Sequence, residues 1–243
     1  MRDTINILGV NIDMITMAEA VNTAAEAVET RDAFAVFTPN SEFIQAAYKD
    51  TEFRDILNNG DMCVPDGIGV VYASRILKKP IAERVAGYDL VCALFERMAR
   101  AGKSVFLLGA KPGYAYEAGE KLKGKYPGLV IAGIQDGYFK PEHVDGIIDV
   151  INESNADVLL VCLGMKKQEQ WMIENKERLR VGVMFGAGGC IDGFAGRTER
   201  APEAWCNAGL EWLHRLLKEP WRLWRMMALP RFAITVFFRG KRY

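Results

Sequence analysis

Apolar and polar positions along the chain alternate between two periods. Short, nearly continuous apolar runs fall at 34–37, 62–64, 104–108, 129–134, 157–163 and 181–185. Runs of that length rich in Val, Ile and Phe predict strands. The run at 157–163 has no polar interruption after Asp157, as expected of a parallel strand covered on both faces. Between the runs, apolar residues spaced three and four apart predict helices over 42–57, 89–101, 114–126 and 141–154, and one following 164–168 to about 179. Residues 5–15 alternate loosely, which suits a strand or a hairpin turning near Gly9-Val10-Asn11. Thr16-Met17-Ala18-Glu19 is a capping box opening a helix to about residue 29.

The punctuation between elements is regular. Pro39 disfavours the helical conformation at Thr38, so the run at 34–37 stops there, and Asn40 or Ser41 can cap the helix beyond it. Met62-Cys63-Val64 ends in Pro65-Asp66-Gly67, ahead of an apolar segment at 68–77. Pro141 suits the first turn of a helix. Four strand–glycine turn–helix units in series predict a Rossmann-like α/β fold, a parallel sheet with helices on both faces. No internal repeat is present. The composition changes near 197–205, so the expected organisation is an α/β domain over 1–196 and a C-terminal appendage over 197–243. In an open sheet of this kind ligands sit beyond the carboxyl ends of the strands. Thr38, Asn40 and Asp66 are therefore expected to project into one crevice, although such residues also serve simply as caps and turns.

Composition sharpens this picture in two ways. The 243 residues are half apolar and carry no net formal charge, which suits a globular chain with a sizeable core. The charge is unevenly spread. Residues 205–243 hold eight Lys/Arg against two Asp/Glu, and the preceding chain holds 23 against 29. A basic tail on an acidic body points to anionic partners, whether phosphates, nucleic acid or a lipid surface. The five cysteines lack C-x-x-C pairing and sit in or near apolar runs, as buried thiols in a reducing compartment would. With His143 and His214 alone, a histidine-based metal site is not expected. No signal-peptide pattern and no stretch of ~20 apolar residues is present, so a cytoplasmic location is expected.

Candidate chemistry lies in the turns. Glycines at 109, 164, 186 and 188 allow a ligand close to the backbone, and helix N-termini behind such turns attract phosphate. The same glycines also suit tight strand-to-helix turns. GAGGCID is not the dinucleotide fingerprint, since Ile191 stands where the third glycine belongs, and there is no phosphate-binding G-x-x-x-x-G-K-[ST] loop. No D-x-D occurs, so a carboxylate pair holding Mg²⁺ on a diphosphate is not evident, and no metal cofactor is expected. Protein cations would take its place. Arg215, Arg222 and Arg225 lie in GLEWLHRLLKEPWRLWRMM, with Arg222 and Arg225 on one helical face. The tail ends in FAITVFFRGKRY, too short to span a bilayer but suited to lying in its interface.

TPNSEF, VPDG, ERVAGYDL, GAKPG, QDGYF, LGMKKQEQW, FGAGGCIDGFAGRTERAP and GLEWLHRLLKEPWRLWR occur in that order. In them the chain resembles the WecG/TagA/CpsF glycosyltransferases over roughly residues 5–230. The resemblance implies an inverting transfer of a sugar from a UDP-sugar to a polyprenyl-diphosphate-linked acceptor at the cytoplasmic face of the membrane. The best-described members move N-acetylmannosamine onto undecaprenyl-diphosphate-GlcNAc, for wall teichoic acid or related surface polymers. It further implies Asp66 of VPDG as the base, with Thr38 and Gln168 holding sugar or acceptor and Arg84 meeting developing negative charge. Asn40, Gly109, Gly137, Tyr138, Gly186 and Asp192 are the remaining candidates for donor or acceptor, and Arg215, Arg222 and Arg225 for the leaving diphosphate. The basic appendage is then expected both to close the site and to touch the membrane. A homo-oligomer is compatible with this, and nucleic acid is not expected as a partner.

Two other classes compete. A nucleotide-dependent oxidoreductase on a Rossmann sheet is weakened by the broken fingerprint and by the lack of an acidic residue ~20 positions beyond one. A non-catalytic protein docking its basic tail on nucleic acid or a membrane would bind with steep salt dependence and no preference for UDP.

Overall fold

The computed structural model of the chain describes residues 3–198, 201–202, 205, 211–218 and 227–240. Its centre is a six-stranded, all-parallel sheet preceded by a small antiparallel hairpin. The hairpin is β1 (Thr4–Ile7) and β2 (Val10–Asp13), turning at Leu8-Gly9. The helix α1 (Met17–Thr30) comes next, and its capping box is present at Thr16 and Glu19. The large sheet is built from β3 (Phe34–Phe37), β4 (Met62–Cys63), β5 (Ser104–Gly109), β6 (Val130–Gln135), β7 (Val158–Cys162) and β8 (Val183–Gly186). They lie in the order β4-β3-β8-β7-β5-β6. The helices are α2 (Ser41–Lys49), α3 (Thr51–Asn58), α4 (Ile68–Ile76), α5 (Gly87–Arg100), α6 (Tyr114–Lys125), α7 (Val144–Glu153), α8 (Lys167–Asn175), α9 (Cys190–Phe194), α10 (Glu211–Lys218) and α11 (Ala228–Arg239).

The sheet faces reflect the period of two. Along β7, Leu159 and Val161 enter one core while Val158, Leu160 and Cys162 enter the other. Phe106 and Leu108 of β5 join the first, and Val105 and Leu107 the second. Residues of α2, α3, α7, α8 and α11 fill the first core, and those of α1, α5, α6 and α9 the second. Each fully buried side chain of this kind contributes roughly 1.5–3 kcal/mol relative to exposure, which is why a strand without polar positions belongs in the middle of the stack.

The single helix expected over 42–57 is two helices. Asp50 adopts an extended backbone between them, and its Oδ1 accepts the Phe53 N–H at 3.1 Å as the N-cap of α3. A short carboxylate competes well for backbone donors and so favours a cap over a helix interior. The helix expected at 141 begins as a tight turn over Pro141–His143 before α7. Of the cysteines, Cys63, Cys162 and Cys190 are buried as expected, Cys92 is half-buried, and Cys206 lies outside the described residues.

The two ends of the sheet are finished differently. At the amino ends, Asp157 is nearly buried and accepts both the backbone N–H and the hydroxyl of Ser104 at 2.8 Å, and Arg31 at 3.1 Å. Its carbonyl accepts from Gly182 at 2.9 Å. One residue thus ties the starts of β5, β7 and β8 to the end of α1. The short edge strand β4 is guarded by Asp13, whose Oδ2 accepts the Cys63 N–H at 2.7 Å. At the carboxyl ends every strand runs into a turn.

α11 packs on α2 and α4. Leu229 at its start lies against Gly69, and Gly240 beyond its end lies against Leu77, so α4 and α11 run parallel with their N-termini at the carboxyl edge of the sheet. Phe232 and Val236, four apart, are buried in the first core, whereas Ile234, Phe237 and Phe238 face outward. The apolar C-terminal segment is therefore divided between core and surface.

Candidate active site

Because all six strands are parallel, their carboxyl ends share one edge, and the turns of the sequence motifs meet there. β5 leads outward to β6 while β7 leads the other way to β8, so the strand order reverses between β5 and β7, the place where open parallel sheets take ligands.

The first wall is made by the turns after β3 and β4. Thr38 is buried, and its hydroxyl donates to the Gly186 carbonyl at 3.1 Å, joining the ends of β3 and β8. Asn40 caps α2, its Oδ1 accepting from Glu42 at 2.9 Å and Phe43 at 3.3 Å. Of the two caps left open by the sequence, Asn40 is the one used. Val64 N–H donates to the Phe37 carbonyl, which carries the chain past the end of β3 into Pro65-Asp66-Gly67. Gly67 has φ 85°, a conformation that L side chains rarely adopt, and its missing side chain faces Asn40. Asp66 is half-buried on that turn. The ERVAG loop closes over it, with Val85 N–H donating to the Pro65 carbonyl at 3.0 Å, and this places Arg84 beside the Asp66 turn. Gly87 then starts α5 against Thr38, where a Cβ would lie 2.8 Å from the Thr38 methyl. Thr38, Asn40, Asp66 and Arg84 are thus brought together by backbone contacts between three separate turns.

The second wall is made by β5 and β6. Gly109 has φ 131°, and a Cβ there would lie 2.3 Å from the Cys162 carbonyl, so only glycine lets β5 leave the sheet this close to β7. Gly137 N–H donates to the Ala110 carbonyl at 2.9 Å, which binds the β6 turn to the β5 turn. Tyr138 is 70% exposed beside it. Lys111 and Lys167 are exposed at the starts of α6 and α8. Lys166 is engaged elsewhere, its ammonium 2.6 Å from Asp50 and 2.9 Å from Glu52.

The floor is the most buried part. Gln168 and Glu169, in the first turn of α8, are both fully buried. Glu169 Oε1 accepts the Gln168 amide at 2.6 Å and its Oε2 accepts the Lys166 N–H at 2.8 Å. Gln168 Oε1 has no protein partner and faces Gly188, while Glu169 Oε1 faces Gly186. Burial pushes the Glu169 carboxyl up to about 7, against the opposing pull of the Gln168 amide. Cys162 donates its thiol to the Ala187 carbonyl and is pushed up to about 12 by burial, so it is a packing thiol and not a nucleophile. Asp192 stands half-buried in the first turn of α9, one turn beyond the glycines that come after β8.

Glu169 is the residue that sequence reasoning passed over. Its one legible signal is its position three residues after Lys166, where a glutamate closes a capping box. Of the tail arginines, Arg215 lies on α10, and Arg222 and Arg225 lie outside the described residues.

The chain matches the glycosyl transferase WecG/TagA/CpsF family over residues 5–243. It is 35% identical over 206 residues to an N-acetylglucosaminyldiphosphoundecaprenol N-acetyl-beta-D-mannosaminyltransferase of Bacillus subtilis (strain 168), covering 85% of this chain and 80% of that one. A protein with the same description from Bacillus spizizenii (strain ATCC 23059 / NRRL B-14472 / W23) is 36% identical over 208 residues, covering 86% of this chain and 80% of its own length.

Proposed function

The chain belongs to the WecG/TagA/CpsF glycosyltransferase family, and from that premise we propose that it moves N-acetylmannosamine from a UDP-sugar onto a polyprenyl-diphosphate-linked GlcNAc, with inversion. The supporting relatives are described as acting on N-acetylglucosaminyldiphosphoundecaprenol. The observation that carries the mechanism is the meeting of the Asp66 turn, Thr38 and the ERVAG loop at one edge of the sheet.

Asp66 takes the proton of the acceptor hydroxyl as that oxygen attacks C1 of the donor sugar. The C1–O bond to the diphosphate breaks on the opposite face, and UDP leaves. Arg84, beside the Asp66 turn, meets the negative charge that develops, and the arginines of the tail do the same at the β-phosphate. The donor's diphosphate suits the crevice between β5 and β7, where the N-termini of α6 and α8 and the cations Lys111 and Lys167 gather. Gln168 offers a buried, unpartnered acceptor oxygen to a sugar hydroxyl or amide N–H. Asn40, Gly137, Tyr138 and Asp192 complete the rim. The basic tail and the outward face of α4 and α11 rest on the anionic inner leaflet, which presents the lipid-linked acceptor.

Purified protein incubated with UDP-N-acetylmannosamine and a GlcNAc-diphosphate-lipid is expected to release UDP and form a β-linked disaccharide. Turnover is expected to survive excess EDTA, because cationic side chains do the work a D-x-D-bound metal would do. No product with any UDP-sugar, together with tight NAD(P)H binding, would overturn the assignment. An absolute requirement for Mg²⁺ or Mn²⁺ would overturn the metal-independent route.

A further inference from the structure

Between α4 and α11 runs an open apolar groove of about 210 Å³, to whose lining Trp212 of α10 also contributes. Ile68, Tyr72, Ile76, Leu229 and Ala233 form its walls, with no charged side chain among its lining residues. We propose that this groove holds the first isoprenoid units of the acceptor's polyprenyl chain, a binding role that rests on the transferase reading above.

Three observations point to that occupant. The groove begins beside the reacting end of the molecule, since Ile68 and Gly69 come two and three residues after Asp66 and Leu229 closes against Gly69. An acceptor whose sugar hydroxyl reaches Asp66 carries its diphosphate and first prenyl units away from that turn, and the parallel pair α4 and α11 leads off from it for about 12 Å. Secondly, the volume is below the ~300–1,000 Å³ of pockets that enclose a whole small ligand, so it suits a slender chain segment. Thirdly, the groove reaches Ile76, and α11 carries further exposed apolar side chains outside the lining: Ile234, Phe237 and Phe238. Exposed Arg75, Lys78, Arg231 and Arg239 lie on or just beyond these helices. An apolar track bordered by cations suits a chain that leaves the protein into an anionic lipid layer. Each methylene taken out of water is worth up to about fourfold in affinity.

The test compares GlcNAc-diphosphate acceptors bearing methyl, geranyl or farnesyl groups, in detergent-free buffer without vesicles. Wild-type kcat/KM is expected to rise at least tenfold from methyl to geranyl. Ala233→Trp, which fills the groove from an exposed position, should bring the geranyl-to-methyl ratio close to one, and Ile76→Glu, on the rim, should lower it independently. A flat chain-length profile in the wild type would overturn the proposal, as would an undiminished ratio in both variants. So would variants that leave vesicles of anionic lipid but keep the wild-type ratio, since the groove would then serve bilayer lipid. If no acceptor is turned over, geranyl diphosphate binding read by titration calorimetry separates the two ideas. Binding lost in Ala233→Trp supports the groove while the transfer reading fails, and no binding to the wild type sinks the groove as well.

Discussion

The position of Asp66 is set by its neighbours in the chain. Gly67 turns the backbone in the left-handed region immediately after it, and the Pro65 carbonyl is tied to Val85. Asp66→Asn keeps the shape but takes away the basicity of the proposed base, so it should fold and bind UDP normally while kcat falls on the order of 10²–10⁴-fold. Turnover near wild type would remove Asp66 from that role. Glu169 makes a different kind of prediction. Its folded pKa is raised from 4.5 to about 7 by burial, so between those values the native state binds more protons than the unfolded chain. Stability is therefore expected to fall as pH rises from about 4.5 to 7, by about 3 kcal/mol at ~1.4 kcal/mol per unit. Glu169→Gln should remove that slope. Urea unfolding of both proteins across the window checks this, and parallel pH profiles would refute it. The placing of Thr38 and Asp66 just beyond strand ends was legible because Pro, Gly and cap residues mark where strands stop, whereas a role for Gln168 came only from the family resemblance. The burial of Glu169 was not, because a charged residue in KKQEQ reads as a solvated helix start until the sheet behind it is known.

At the level of elements, α11 joins the body of the fold. Phe232 and Val236 lie in the same core as Phe37 and Ile44, which alters how truncations of the tail are to be read. Phe232→Ala is expected to cost about 3–5 kcal/mol, measurable as a lowered urea midpoint with an unchanged slope. A chain cut at about residue 207 would lose the same contacts, so its inactivity would report lost packing as well as lost arginines. A midpoint unchanged in Phe232→Ala would show that α11 does not contribute to the core. The sequence marked FAITVFFRGKRY as one apolar patch because the partner of its i, i+4 face lies more than 150 residues away, on α2 and α4. The break at Asp50 was missed for the opposite reason. Amphipathic periodicity continues across it, and only the competition of a single carboxylate for the Phe53 N–H divides the helix.

For the whole molecule, the parallel sheet and its layers could be read directly from the alternation of apolar runs and glycine turns. The strand order could not, since periodicity is silent about which strands pair. The excess of cations after residue 205 and the outward side chains of α4 and α11 lie on the chain that also carries the site. Cosedimentation with anionic vesicles is expected at low salt, with release as ionic strength rises, since each cation near the leaflet contributes ~1 kcal/mol. Equal binding to neutral vesicles, or no dependence on salt, would show that the tail does not act by charge. Among the described residues no helix is long and apolar enough to cross a membrane.

The tie made by Asp157 at the amino ends of β5, β7 and β8 has a consequence for how such a molecule can change. Its bonds to Ser104, Arg31 and Gly182 are all made at the end of the sheet away from the crevice. Insertions and exchanges in the turns beyond Gly109, Gln135 and Cys162 leave those bonds intact. The frame and the vocabulary of the site are thereby heritable apart. New sugar preferences can be written into one edge of the sheet while the other edge keeps the strands in order.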